Sequence, residues 1–187
     1  MSDEYAFSDA EVEQLARAFE SVSREIAASH FAQRPLNAAL LESLHRGLFH
    51  GVRPHCGRMR SATWGYERVV VFEAPSEERR LVEECVRRVL DRARALRSDQ
   101  SLGTLYDELG WMCAELIRIQ PFIDGNKRTT ALFVSELARR LELAPLDFTR
   151  MRDRFLDAAR AHVRNEDRSG RPMGKVLALV SQATSDE

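Results

Sequence analysis

Little in this sequence points to disulfides, membranes or a polyelectrolyte partner. The three cysteines, Cys56, Cys85 and Cys113, form no CxxC pair, so neither a disulfide framework nor a zinc knuckle is expected. No apolar run approaches the ~20 residues of a membrane-spanning helix, and mean hydropathy is −0.38. The opening Met1-Ser2-Asp3-Glu4 is acidic where a secretory signal is basic, so a cytoplasmic location is the expectation. Neither sign of charge dominates: 28 Lys+Arg stand against 29 Asp+Glu. That balance supplies no basic field, and no nucleic-acid or membrane partner is expected. There is no internal repeat and no low-complexity tract.

What is present is a chain of 187 residues with 44% hydrophobic and 30% charged residues, the profile of one globular domain with a real core. Its pattern is mostly helical. Ser8-Asp9-Ala10-Glu11 is a capping box that opens a helix through Phe19, and a second short helix is expected over Val22–His30. Leu36, Leu40, Leu41, Leu44 and Leu48 recur at helical spacing up to Gly51. Further helices are expected over Ser76–Leu96, Leu105–Ile119, Lys127–Leu141, Phe148–Val163 and 172–183, with Leu105–Ile119 the most apolar and central. Gly110 inside that helix costs about 1 kcal/mol against Ala and fits a close helix approach. The one strand signal is Val69-Val70-Val71-Phe72, too short to stand alone and read as part of a hairpin or a cover over a cleft. The expectation is an all-α bundle with one short β-hairpin, a single domain over 1–187 with a core at about 36–163 and N-terminal helices at 8–30.

The informative stretch is Ile119-Gln120-Pro121-Phe122-Ile123-Asp124-Gly125-Asn126-Lys127-Arg128-Thr129-Thr130. Pro121 ends the preceding helix. Asp124-Gly125 is a turn pair that delivers the chain to a new helix N-terminus. Backbone N–H groups and the positive dipole end at such a start bind anions. Asn126 adds an amide, Lys127 and Arg128 add cationic donors, and Gly125 permits close backbone approach. Asp124 places a carboxylate beside the anion, the arrangement that holds Mg²⁺. Taken alone, the same residues also suit a plain helix–turn–helix joint with Asp124 as a cap and solvated Lys127 and Arg128.

Pro121, Phe122, Gly125, Asn126 and Arg128 resemble the signature of the Fic (Fido) family, His-Pro-Phe-x-x-Gly-Asn-Gly/Lys-Arg. Asp124, Lys127 and Thr129 are most similar to its death-on-curing branch. Leu44-His45-Arg46-Gly47-Leu48-Phe49 and Pro54-His55-Cys56-Gly57-Arg58-Met59-Arg60 are similar to the family's Leu-His-x-x-Leu-Phe and Pro-Trp-Ala-Gly-x-x-Arg segments. The resemblance implies a Fic-type helical bundle that moves AMP or a phosphoryl group from ATP or another nucleotide, with Mg²⁺. The acceptor it implies is a hydroxyl of a protein target, or a small molecule on a repurposed scaffold. Carried over by position, Asp124 would bind Mg²⁺, and Gly125, Asn126 and Lys127 would cradle phosphate. Arg128 would hold the outer phosphates, and Val69, Val70, Val71 and Phe72 would be a target-binding flap.

The sequence departs from that pattern in several places. Gln120 stands where the family has its general-base His, and an amide cannot take a proton near neutral pH. Loss of a base removes about 10²–10⁴-fold in rate. Three explanations stand open at this point: an engineered inactivation, a silent relative that keeps nucleotide binding, or chemistry that needs no base. Ala131 replaces a second Arg of adenylylating members. Ser21-x-x-x-Glu25 has the spacing of the family's inhibitory helix, but Ile26 follows it. His45, His50 and His55 are candidate substitute bases, with His45 on an apolar helix face more in keeping with a core histidine. Arg53, Arg58, Arg60 and Arg68 read either as a basic patch for phosphates or as a solvated loop.

Overall fold

A computed structural model describes residues 7–64, 70–71, 74–75, 77–148 and 152–182. Among the described residues the architecture is helical: α1 (Asp9–Ala27), α2 (Ala38–Phe49), α3 (Arg79–Arg94), α4 (Leu102–Ile119), α5 (Asn126–Arg140), α6 (Arg152–Val163) and α7 (Arg171–Gln182). Between α2 and α3, β1 (Val70–Val71) and β2 (Ala74–Pro75) pair antiparallel, Val70 opposite Pro75 and Val71 opposite Ala74. Val69 and Phe72, both part of the strand expectation, lie outside the described residues. None of the described helices is long and apolar enough to cross a membrane.

Helix α4 is the hub, packed against α3, α5, α6 and α7. Leu105, Leu109, Met112, Cys113, Leu116, Ile117 and Ile119 are all buried, so nearly every face of this helix is inside. Burial pushes the Cys113 thiol far above its ordinary range, which makes it inert. Gly110 is where α7 comes closest. A Cβ there would stand 2.3 Å from Gly174 N and 2.5 Å from Gly170 O. Both obstacles are backbone and cannot rotate away. Gly110→Ala is therefore expected to destabilise the fold by about 3 kcal/mol, despite Ala's better helix propensity, read as a lower urea midpoint.

The two N-terminal helices expected from sequence are one. The capping box forms as predicted: Ser8 N donates to Glu11 Oε2 at 2.8 Å, and Glu11 N donates to Ser8 Oγ at 3.3 Å. From there α1 continues unbroken to Ala27. No Gly or Pro lies between Phe19 and Val22, and Leu15, Val22 and Ile26 carry one buried stripe through the expected gap. Helix α1 lies across α2 and α5. The α1–α2 connection is tied to α5 by Arg140, which pairs with the fully buried Glu136 at 2.6 Å. The same guanidinium donates to the carbonyls of Phe31 and Arg34 at 2.7 and 2.8 Å.

A second buried polar network crosses the other side of α4. Arg118 donates to both oxygens of Glu115 and, at 2.8 Å, to Glu77 Oε2. His162 of α6 contacts Glu115 Oε2 at 2.9 Å. Although burial opposes ionisation, the His162 and Arg118 hydrogen bonds hold the Glu115 carboxyl down at about 2.

Candidate functional site

The α4–α5 loop is built from backbone conformations that the sequence only half announces. Helix α4 ends at Gln120 in the left-handed region, φ 51°. For a non-glycine residue this costs of order 1–2 kcal/mol, and its bonds offset that cost. Gln120 N donates to Leu116 O at 3.1 Å, and Gln120 O accepts from Arg60 Nε at 2.7 Å. Gly125, φ 72°, is the second left-handed residue and starts α5. A Cβ at Gly125 would meet the Phe49 ring at 2.1 Å, so glycine is required twice over, by conformation and by space.

Side chains then lock the loop from inside. Asn126 is buried; its Nδ2 donates to Phe122 O at 2.8 Å and to Gln120 Oε1 at 2.9 Å. Its Oδ1 accepts from Phe122 N at 2.8 Å. The Asn126 side chain, expected beside a phosphate, is thus engaged within the loop, and its backbone N–H belongs to the first turn of α5. Gln120 is likewise engaged, its Nε2 donating to Ile117 O at 2.7 Å. His45 clamps the loop from α2. Gly57 N donates to His45 Nδ1 at 2.8 Å, which places the proton on Nε2, and Nε2–H donates to Asp124 O at 3.0 Å. The imidazole lies between the rings of Phe49 and Phe122, with centroids at 4.7 and 4.0 Å. Burial pushes its pKa down to about 4, against the opposing effect of the Asp124 carbonyl.

Above this loop opens a cleft of about 930 Å³. Gln120, Asp124, Gly125, Asn126, Lys127 and Arg128 form its polar floor, together with Ile123 and Ala131. Val71 reaches its edge. Val12, Leu15, Ala16, Phe19 and Glu20 of α1 form one wall, and Phe148, Phe155 and Leu156 another. The sequence expectation sets the helices at 8–30 outside a core at about 36–163 and assigns neither apolar wall to the site. The signal for α1 was available: positions 12, 15, 16 and 19 lie on one helical face, and Val12 remains 47% exposed because that face covers a cleft.

Around Asp124 the polar groups crowd. Its Oδ1 accepts from Gly125 N at 2.6 Å. Its Oδ2 is buried without a hydrogen-bond partner, 3.9 Å from Arg53 Nε. Arg53 pairs with Glu11 Oε1 at 2.8 Å and covers the Phe7 ring. Arg128 is exposed at the cleft floor, 5.9 Å from the same ring centroid.

Several sequence candidates fall elsewhere. His45, His50 and His55 do not line the cleft, so none is placed as a substitute base. Glu25 does not line it either; the α1 carboxylate facing the cleft is Glu20. The basic patch dissolves on folding. Arg53 pairs with Glu11, Arg58 covers Trp64, and Arg60 is wholly buried, while Arg68 lies outside the described residues. Among the described residues no cluster of three or more His, Cys, Asp or Glu forms a metal cage.

Comparison with known proteins agrees with this geometry. Residues 35–138 match the sequence profile of the Fic/DOC family. No curated protein matches the chain. Among solved structures, the BepC effector protein of Bartonella tribocorum with bound AMPPNP is similar at a TM-score of 0.71 and 18% identity, over 95% of this chain and 90% of that one. The Fic domain of a Bartonella quintana effector with bound ADP gives 0.73 and 18%, over 95% and 88%. Fic-1 of C. elegans gives 0.70 and 20%, over 96% of this chain and 51% of that one.

Proposed function

The chain belongs to the Fic/DOC family, and on that premise we propose that it binds a nucleoside triphosphate and transfers an AMP or phosphoryl group to a hydroxyl or similar acceptor. The observation that carries this reading is the cleft floor: the first turn of α5, with Gly125 left-handed and Asp124, Lys127 and Arg128 on the same surface. Backbone N–H groups of a helix start have no intrahelical partner and suit phosphate oxygens. Lys127 and Arg128 add charge where negative charge gathers in phosphoryl transfer. The apolar walls, Phe19, Phe148, Phe155 and Leu156, suit a planar base at the other end of the ligand. Nucleotides bound by two structural relatives, AMPPNP and ADP, support the same ligand class.

Magnesium fits the donors present. Asp124 Oδ2 is a carboxylate oxygen with no hydrogen-bond partner beside the phosphate floor. A single protein carboxylate suits an ion that arrives with phosphates and water rather than one held in a cage. Asp124 would hold it, and the ion would neutralise phosphate charge. The acceptor would enter beside Val71, with the β1–β2 ladder as the edge that aligns it.

Gln120 sets the limit on this activity. Its amide cannot remove a proton from the acceptor. The engagement of both its ends, with Ile117 O and Asn126 Nδ2, favours a second reading, a silent relative that binds nucleotide without turnover. Calorimetry with ADP and ATP, with and without Mg²⁺, tests the shared site. No binding to either nucleotide refutes both readings. Arg128→Ala is expected to weaken ATP binding about tenfold or more, about 1.4 kcal/mol, since one charge-assisted contact is lost. Transfer from labelled ATP by the chain as it stands supports the transferase; binding with transfer only by Gln120→His supports the silent relative.

A further inference from the structure

Arg60 is fully buried, with 0% of its surface exposed, and yet carries a charge. Its bonds explain why. Nε donates to Gln120 O at 2.7 Å. One terminal nitrogen donates to Ile119 O at 2.8 Å and to Glu77 O at 3.3 Å. Its backbone N–H donates to Pro121 O at 2.7 Å. One residue therefore satisfies three consecutive carbonyls at the end of α4, where helix geometry leaves acceptors without partners. The middle one belongs to Gln120, the residue held in the left-handed turn at φ 51°.

The fourth carbonyl, that of Glu77, lies two residues past the end of β2. Glu77 is held a second time by its side chain, through Arg118 at 2.8 Å. The root of the hairpin and the turn that aims α5 at the cleft thus share one guanidinium. A planar fork with donors in two directions can span both; a lysine ammonium is a single point of charge and cannot reproduce that geometry.

We propose that Arg60 is a positioning residue that couples the phosphate-binding loop to the β1–β2 hairpin, so that nucleotide at the first and order at the second depend on one another. The coupling rests on the nucleotide reading of the α5 floor given above. If Arg60 pins the turn at Gln120, its loss lets the loop leave the conformation that presents the α5 N–H groups, and nucleotide affinity falls. By reciprocity, nucleotide that fixes the loop fixes Glu77 and the hairpin behind it.

The experiment compares the full chain with Arg60→Lys and with Leu177→Ala, a cavity variant in α7 away from the cleft, each well below its melting temperature. ADP with Mg²⁺ is titrated by calorimetry, and amide hydrogen exchange is followed with and without ADP. The expected result is tenfold or greater loss of ADP affinity in Arg60→Lys, with Leu177→Ala within twofold of the unaltered chain. In the unaltered chain ADP is expected to slow exchange both over 119–128 and at Val70, Val71 and Ala74. If Arg60→Lys binds ADP within twofold, or if Leu177→Ala loses as much affinity, the positioning role is overturned while the nucleotide site stands. If the unaltered chain does not bind ADP, the nucleotide reading itself fails. Should Arg60→Lys not fold, exchange in the unaltered chain decides: slowing in the loop with no change at the hairpin overturns the coupling.

Discussion

Gly125→Ala is expected to abolish detectable ADP binding and to destabilise the protein by about 4 kcal/mol. Two effects combine. The left-handed backbone at φ 72° disfavours any side chain, by of order 1–2 kcal/mol. The new Cβ would also stand 2.1 Å from Phe49 Cε2, inside the stack that Phe49 forms with His45. The ring is buried at 0% exposure and cannot swing into solvent. Relief requires the loop to lift, which withdraws the α5 N–H groups from the cleft floor. Phe49→Ala in the same background removes the obstacle but not the backbone cost. The double variant is therefore expected to be more stable than the sum of the two single losses predicts, by about 2 kcal/mol in urea unfolding. Strict additivity would show that contact with Phe49 plays no part.

Acid is expected to loosen the same corner. His45 is neutral, 1% exposed, and has a pKa of about 4, against 6.5 when free. Between those values the unfolded chain binds a proton that the folded chain does not. Stability therefore falls as pH drops from about 6.5 to about 4, and the loss is complete below that. The full effect is about 3 kcal/mol. Glu115 acts lower: its carboxyl, held at about 2, contributes stability above its ordinary 4.5 that is lost as pH falls through about 2. Urea midpoints at about pH 7, 5.5 and 4.5 follow the His45 window, and a further midpoint at about pH 3 falls in that of Glu115. His45→Gln keeps a donor and an acceptor without titrating, so its stability is expected to be flatter over pH 6.5–4. An unchanged slope would assign the acid sensitivity to another group.

Both predictions concern one small assembly: a histidine from α2, a phenylalanine one turn later, and the glycine that opens α5. The arrangement explains why Asp124 is held so firmly. Its carbonyl is fixed by His45 Nε2 at 3.0 Å, and its Oδ1 by the next backbone N–H at 2.6 Å. One carboxylate oxygen is left without a hydrogen bond, 3.9 Å from Arg53 Nε, and under the proposed function it would face the cation. Backbone and side-chain bonds that already fix this carboxylate lower the reorganisation that ligand binding would require.

Glutamine at position 120 is less disruptive to the fold than to the chemistry. Its amide donates to Ile117 O and accepts from Asn126 Nδ2, so it serves as a hydrogen-bonded stopper for the α4 terminus. Among the described residues no histidine lines the cleft in its stead, and the carboxylates that do are Glu20 and Asp124. Under the proposed transfer a hydroxyl acceptor would lack the base that the family's motif supplies, which is why the transfer assay with Gln120→His discriminates so sharply.

Much was legible from the chain alone because the forces concerned are local. The capping box at Ser8, the apolar period of α2 and α4, and the Asp124-Gly125 turn each depend on residues within a few positions of one another. The expectation of an anion-binding helix start and the family likeness both follow from that run of residues. The end of α1 was misplaced because no local breaker marks it; a buried stripe through Val22 and Ile26 carries the helix on.

What only the tertiary structure decided is which partner each polar side chain meets. Asn126, expected as a phosphate donor, has its side chain bonded to Phe122 and Gln120 of its own loop. Arg60, expected in a basic patch or a solvated loop, is fully buried and satisfies carbonyls far away in sequence. Burial removes water as a competitor, and a polar group must then pair with whatever the packing of distant helices brings within reach. Periodicity and turn chemistry determine where helices begin and run; the packing of those helices determines what the side chains between them can do.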